Sequence, residues 1–488
     1  MSTPQRALSV LHETIERAVD TEAIFLACYR ESADAFWLDS THAEPGLDRF
    51  SYLGDARGPL AELVRYRVGR GRVEIDRHDG HYVVPGTIFD YLAAQLHRIS
   101  IEFPDVPFDF VGGYVGYLGY EAKADCGGTA RHRAPTPDAQ WMFADRLIVV
   151  DHVAHRTHLI ALAAPDTPDS VACGRDWLTT TRASLAALPD RQAPPRRTPP
   201  TDERAVQARL TRGRERYLAD IDEIFTQLRA GETYEVNLTD SVYVDQDCDG
   251  LEVYRVLRRS NPAPYAAFLR LGDTEIACSS PERFLGVDRG RTVESRPIKG
   301  TAPRGRTPEQ DEILRRALES DPKTRAENLM IVDLLRNDLG RVCELGSVHV
   351  PALMRAETYT TMHQLVTTIR GRLRPDVDAV TCLRACFPGG SMTGAPKLRT
   401  MDIIDDLETE ARGIYSGTIG FLGLGGTADL NIVIRTAVRH GGRWRIGAGG
   451  AIVLDSDPEQ EYHEMVLKAA TALRAVTEVA ELCQSRLA

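Results

Sequence analysis

Lys299 has the most chemistry to offer. It stands in Thr292-Val293-Glu294-Ser295-Arg296-Pro297-Ile298-Lys299-Gly300-Thr301-Ala302-Pro303-Arg304-Gly305. Proline fixes its own φ and pushes the preceding residue towards extended geometry. Gly300 permits a tight exit. The lysine is thereby presented at a strand-to-turn junction. An amine held against apolar walls or beside other cations loses its proton more readily and becomes a nucleophile. Arg296 and Arg304 are close enough in sequence to supply such a field. The same stretch also fits an ordinary surface lysine after a turn.

Near the C-terminus, Glu461, Glu464 and Lys468 fall on one face of an expected helix over 458–482. Two carboxylates with room for water suit Mg²⁺, which prefers few protein oxygens plus a substrate anion. Glu327, on an expected helix over 322–335, offers a third. A solvated charged face explains the same spacing. Gly389-Gly390-Ser391-Met392-Thr393-Gly394-Ala395-Pro396-Lys397 precedes an expected helix over 395–407, and glycines before a helix N-terminus can present N–H groups to an anion. It is not a Walker A loop, because Ala-Pro stands where Lys-Ser/Thr belongs; a plain glycine turn fits as well. Arg435 interrupts an apolar strand expected over 430–439. A buried arginine needs an anion, either a structural Asp or a substrate carboxylate. Gly423-Leu424-Gly425-Gly426 lies between strands with no helix after it and is no dinucleotide fingerprint. Together these parts describe a site for a small polyanion.

The elements that must position them are mixed. The 488 residues, 43% hydrophobic and 26% charged, suit a soluble globular chain with a sizeable core. A net charge of −11 argues against non-specific nucleic-acid binding. No secretory signal and no apolar run of about 18 residues is visible. The nine scattered cysteines lack metal or disulfide spacing, and a cytoplasmic location is expected. Helices are expected over 5–19, 60–66, 87–99, 170–188, 214–230 and 307–320, and strands over 24–29, 35–39, 50–53, 110–120, 234–239, 348–350, 364–373, 417–424 and 444–449. Hairpins are expected over 145–164 and 265–279. Glu235, Asn237 and Thr239 share one face of the 234–239 strand. Asp39-Ser40 reads as a polar strand exit. Residues 189–204 hold five prolines and many charges, a semi-rigid linker between segments 1–188 and 205–488 that need not fold independently.

The long strings carry a resemblance. Ser280-Pro281-Glu282-Arg283-Phe284, Pro297-Ile298-Lys299-Gly300-Thr301, the runs 326–338 and 387–397, and the stretch 447–468 resemble those of the chorismate-utilising enzymes. That family includes the large subunits of anthranilate and aminodeoxychorismate synthases, isochorismate synthases and salicylate synthases. The similarity covers about 213–485, and the N-terminal segment resembles the family's less well-matched part. It implies an α+β fold in which two antiparallel β-sheets pack as a sandwich with helices outside. Anthranilate synthases usually carry alanine where Lys299 stands, and aminodeoxychorismate synthases carry lysine. The resemblance therefore implies amination of chorismate by ammonia to 4-amino-4-deoxychorismate, the precursor of 4-aminobenzoate. It implies that Lys299 attacks C2 as the C4 hydroxyl leaves, that ammonia adds at C4, and that Glu282 handles the hydroxyl's proton. It further implies Asn237, Ser391, Tyr415, Arg435, Gly449, His363 and Lys468 at the substrate, Mg²⁺ on Glu327, Glu461 and Glu464, and a tryptophan contact at Ser40. No cysteine has the Gly-x-Cys-x-Gly setting of a glutaminase, so a separate glutamine amidotransferase subunit is expected. An anthranilate synthase large subunit and a non-catalytic tryptophan-sensing relative are the rival readings.

Overall fold

Two large β-sheets lie face to face, each with helices on its outer side. The computed structural model describes residues 6–40, 49–191, 202–358 and 362–487. Most of the proline-rich 189–204 stretch lies outside the described residues. Both sheets draw strands from either side of it. In the first, Asp34–Asp39 pairs with Tyr265–Leu271, and Arg6–Ile15 with Arg156–Ala163; Glu235–Val244 pairs with Arg443–Ile452 further along. In the second, Gly113–Leu118 pairs with Thr418–Gly423, while Ile298–Pro303 lies at one edge and Gly80–Pro85 at the other. Neighbouring strands run antiparallel except Arg6–Ile15 with Ile99–Ile101.

Side chains alternate between faces along a strand, so three cores form. Phe36, Tyr52, Val115, Tyr117, Leu269 and Phe421 fill the space between the sheets. Trp37, one residue from Phe36, points the other way and packs with Tyr217, Tyr254 and Met465 of the helices Gly213–Arg229, Gly250–Ser260 and Pro458–Leu487. Behind the second sheet, Tyr114, Phe143 and Leu430 meet Ile331 and Leu335 of the helix Pro322–Gly340. Each such large side chain contributes about 1.5–3 kcal/mol by leaving water.

Several expectations change. Residues 5–19 form a strand, Arg6–Ile15, because pairing with Arg156–Ala163 overrides a weak helical period. Residues 24–29 belong to a helix, Thr21–Cys28, capped by Asp20, whose carboxylate accepts from Ala23 N at 2.8 Å. Residues 60–66 give a strand, Glu62–Tyr66, hydrogen-bonded on both sides. The strand expected over 430–439 is two strands in different sheets, Ala428–Asn431 and Thr436–His440. Arg435 sits in the crossover with φ of 53°, a left-handed conformation. The glycine loop does not open a helix. Gly390–Met392 is a 3₁₀ turn, Gly394–Ala395 a short strand, and the helix Lys397–Leu407 starts only after them.

Candidate active site

Lys299 lies on the edge strand Ile298–Pro303, and Gly300 follows it with φ of 83°. A Cβ at Gly300 would come 2.4 Å from Thr324, so only glycine lets the helix Pro322–Gly340 lie this close. That helix carries Glu327. Lys299 is 9% exposed and Glu235 not at all, and Lys299 Nζ donates to Glu235 Oε1 at 2.8 Å. Glu235 Oε2 is buried with no hydrogen-bond partner among the described residues.

This reverses the expected electrostatics of the amine. Burial alone would lower its pKa, but the negative charges of Glu235 and Glu327, the Glu235 hydrogen bond and Glu282 outweigh it, and the pKa is raised. The two arginines supply no opposing field, because each has its own carboxylate: Arg296 pairs with Glu357, and Arg304 with Asp311 at 2.8 Å. In this state Lys299 is an ammonium.

Glu282 sits at the entry to the strand Arg283–Val287. Burial pushes its carboxyl up to about 7, against the pull of Ser391 and Lys299. Ser391 Oγ donates to Glu282 Oε1 at 2.8 Å, and Ser391 O accepts from Asn237 Nδ2 at 2.9 Å. Asn237 Oδ1 is a second buried acceptor without a partner among the described residues. Ser391, Glu282 and Asn237 are thus joined, and Lys299 enters through Glu235 on the face of the strand that carries Asn237.

The acidic group gathers beside them. Glu461 Oε1 accepts from Ser456 Oγ at 2.8 Å and lies 2.7 Å from Lys323 Nζ, which is also 3.8 Å from Glu327. Burial, together with the nearby charges of Glu235 and Glu461, holds the Glu327 carboxyl above its usual range against Lys299 and Lys323. Glu464 pairs with Lys468 at 2.7 Å, and Lys468 also donates to Gly449 O at 3.1 Å. The carboxylates are hard oxygen donors, as Mg²⁺ requires. Among the described residues no three of them converge into a ready metal cluster, and they take lysine ammoniums, Lys323 and Lys468, as counter-charge, so they match the ion in chemistry and would have to draw together to hold it. Arg435 is half-buried, and among the described residues no carboxylate lies within ion-pair reach of it. Burial pulls its pKa down, while Tyr415 and Glu464 act the other way. Tyr415 packs on the Gly447 backbone, where a Cβ would fall 2.2 Å from the ring.

His363 and Ser40 are placed differently. Both ring nitrogens of His363 are engaged, with Thr358 Oγ1 at 2.9 Å and Asp311 Oδ1 at 3.0 Å. Ser40 follows the strand Asp34–Asp39 of the first sheet, whereas Lys299 is on an edge strand of the second. It lines a cavity of about 1000 Å³ with Phe50, Tyr52, Phe421 and Arg283, and its hydroxyl donates to Phe50 O at 2.7 Å.

Three groups escaped sequence reasoning. Glu235 was visible on the Asn237 face, and a carboxylate amid strand residues was the signal. Lys323 gave none. Arg412 is a buried clamp. It donates to Met392 O at 2.6 Å and Asn237 O at 2.7 Å while paired with Glu408, which accepts from Thr239 N at 3.0 Å. It thus ties the Ser391 turn to the Asn237 strand.

A family model described as chorismate binding enzyme matches residues 74–474. The chain is 47% identical over 459 residues to an aminodeoxychorismate synthase from Streptomyces pristinaespiralis, covering 94% of this chain and 64% of that protein. It is 39% identical to an aminodeoxychorismate synthase component 1 from Klebsiella aerogenes, covering 88% of this chain and 91% of that one. The fold is similar to the crystal structure of anthranilate synthase component I from Streptococcus pneumoniae, with a TM-score of 0.73 at 29% identity over 94% of this chain and 99% of that chain. The chain spans between half and two thirds of the length of the Streptomyces and plant relatives it matches. Among the described residues no helix is long and apolar enough to cross a membrane.

Proposed function

This chain belongs to the family of chorismate-binding enzymes, and from that premise we propose that it aminates chorismate to 4-amino-4-deoxychorismate. The observation that carries the reading is the buried Lys299 amine hydrogen-bonded to Glu235 and within electrostatic reach of Glu282. A lysine at the substrate makes a covalent route available, which splits one hard substitution into two easier ones.

In this reading the ring carboxylate lies at the acidic group, where Glu327 and Glu464 would hold Mg²⁺, with Glu461 contributing through water. Bound there, the ion neutralises carboxylate charge and assists departure of the allylic hydroxyl. Arg435, short of an anion among the described residues, pairs with the enolpyruvyl carboxylate, and Tyr415, Ser391 and Gly449 border that side. Lys468 closes the pocket beyond Gly449. His363 supports the wall through Asp311. Asn237 Oδ1 offers an acceptor to the ring's polar edge. Glu282, titrating near neutrality, delivers a proton to the leaving C4 oxygen. Ammonia comes from glutamine through an amidotransferase subunit.

Incubation with chorismate, Mg²⁺ and ammonium, followed by mass spectrometry, tests this. The expected product is 4-amino-4-deoxychorismate. Fluorescent anthranilate would establish the rival synthase activity, and no product would favour the sensing relative. Glutamine should replace ammonium only when an amidotransferase partner is added.

A further inference from the structure

The geometry leaves a difficulty that the proposed amination must solve. Lys299 is an ammonium as the structure holds it, and an ammonium has no lone pair with which to attack carbon. The site is closed: Lys299 is 9% exposed and Glu235 fully buried, so bulk water cannot take the proton directly. Arg296 and Arg304, each in its own ion pair, do not force it off. One group is in place to receive it. Glu235 Oε1 already accepts that proton in a 2.8 Å hydrogen bond, and its other oxygen has no donor among the described residues. Of the other carboxyls that act on the amine, Glu282 already accepts from Ser391 Oγ and is assigned the leaving hydroxyl, and Glu327 stands beside Lys323 in the acidic group, with no hydrogen bond to Lys299. Glu235 itself is held rigidly. Its strand pairs with Gly394–Ala395 on one side and Arg443–Ile452 on the other, and Thr233 Oγ1 donates to its carbonyl at 3.0 Å.

We infer that Glu235 is a further catalytic residue: it takes the proton from Lys299 as the amine attacks and returns it when the amine leaves. The inference rests on the amination reading. The ammonium passes its proton to the Glu235 carboxylate. The free amine forms the N–C2 bond, the ring electrons shift, and the C4–O bond breaks. Glu282 protonates the departing oxygen, which leaves as water. Ammonia then forms the C4–N bond, and the C2–N bond to lysine breaks with its electron pair returning to the lysine nitrogen. Glu235 reprotonates the lysine. The new C4 ammonium gives its extra proton to Glu282, and both carboxyls are restored.

Intact-protein mass spectrometry tests the first half without ammonia. Wild type with Mg²⁺ and chorismate should gain the mass of chorismate less one water, mapped to Lys299. In E235Q the side chain keeps its shape and loses its basicity. Adduct formation and kcat should fall on the order of 100-fold, with KM for chorismate within about twofold, the split expected when only a transition-state interaction is lost. Below about pH 7, where Glu282 keeps its proton, the rate of E235Q should also climb with pH, because hydroxide must now do the deprotonation. E235A should regain rate in added formate, a small carboxylate that fits the vacated space. A wild-type rate in E235Q, or E235A indifferent to formate, overturns the role. If E235Q does not fold, E235A with formate decides alone, and E235D replaces it if that too is unstable: a reduced rate that is flat below about pH 7 supports the role, and a rate rising with pH over that range excludes it. Failure of wild type to aminate chorismate at all is a separate result and strikes the underlying reading.

Discussion

The Ser391 hydroxyl donates to Glu282 Oε1 at 2.8 Å, and this single contact tempers what burial does to the carboxyl. Burial raises Glu282 to about 7, while the Ser391 hydrogen bond favours the ionised form and pulls the other way. If Glu282 acts as the acid, kcat falls as pH rises past about 7. Removing the hydroxyl in Ser391→Ala leaves the carboxylate less stabilised, so its pKa rises further. The alkaline limb of kcat should then move to higher pH, seen in a profile from pH 5.5 to 9. A limb that stays put would separate Glu282 from the titration.

The same carboxyl makes stability depend on pH. Unfolded, it titrates at about 4.3; folded, at about 7. Between those values the folded chain holds a proton that the unfolded chain has released. Its contribution is therefore whole below the unfolded pKa and is lost as pH rises through 7, about 4 kcal/mol in all. Glu121, also buried and raised to about 7 while accepting from Arg412 N and Gly413 N, adds a like share. Denaturant unfolding at pH 5 and pH 8 should show the decline, and Glu282→Gln should remove about half of it.

Lys323 stands where a divalent cation would draw its ligands, 2.7 Å from Glu461 and 3.8 Å from Glu327. Metal binding must release those carboxylates from it. Lys323→Met should therefore tighten Mg²⁺ binding several-fold in a calorimetric titration. Glu327→Gln and Glu464→Gln should weaken it by tenfold or more. Unaltered Mg²⁺ affinity in all three would place the ion elsewhere.

Much of this site was legible because its motifs are local. Pro297, Lys299 and Gly300 describe their own strand and exit, and Asp321-Pro322 announces the helix that brings Glu327. What the sequence could not show is which charges face one another. Arg296 and Arg304 are near Lys299 in sequence but face Glu357 and Asp311. Glu235, 64 residues away, is the true neighbour, and it reverses the electrostatics of the amine. Arg435 was read as part of one strand because Ile432-Val433-Ile434 before it and Ala437-Val438 after it are apolar; no periodicity reveals that the chain changes sheets there. The N-terminal strand Arg6–Ile15 was misread for a related cause, since its partners lie more than 80 residues on and only pairing fixes its conformation.

Ser40 belongs to a different question. Its hydroxyl donates to Phe50 O, and its amide N–H donates to Ser51 Oγ at 2.9 Å. It nevertheless borders the cavity of about 1000 Å³, whose wall mixes the rings of Phe50, Tyr52 and Phe421 with Asp39 and Arg283. If tryptophan docks there, adding it should raise the melting temperature of wild type. Ser40→Phe, which fills the rim, should abolish that shift while sparing the rate without tryptophan. An equal shift in both proteins would move the ligand away from Ser40.

Gly447 offers a test of the substrate pocket from behind. It lies on the strand Arg443–Ile452, and the Tyr415 ring rests on its backbone so closely that a Cβ would fall 2.2 Å from Cγ. The strand conformation itself accepts alanine, because Gly447 has no positive φ. The clash is therefore with a side chain, and the ring must swing away. Tyr415 and Arg435 are electrostatic neighbours, so displacement of the ring disturbs the place assigned to the enolpyruvyl carboxylate. Gly447→Ala should raise KM for chorismate about tenfold, equivalent to about 1.4 kcal/mol of binding, and leave the ammonia dependence of kcat unchanged. Gly449→Ala should behave differently. Its Cβ would meet the Leu238 carbonyl at 2.4 Å, a backbone atom locked in the neighbouring strand, and the loss should appear in thermal stability before kinetics. Kinetics and melting curves on the two variants separate pocket from scaffold; a Gly447→Ala enzyme with wild-type KM would remove Tyr415 from the substrate's surroundings.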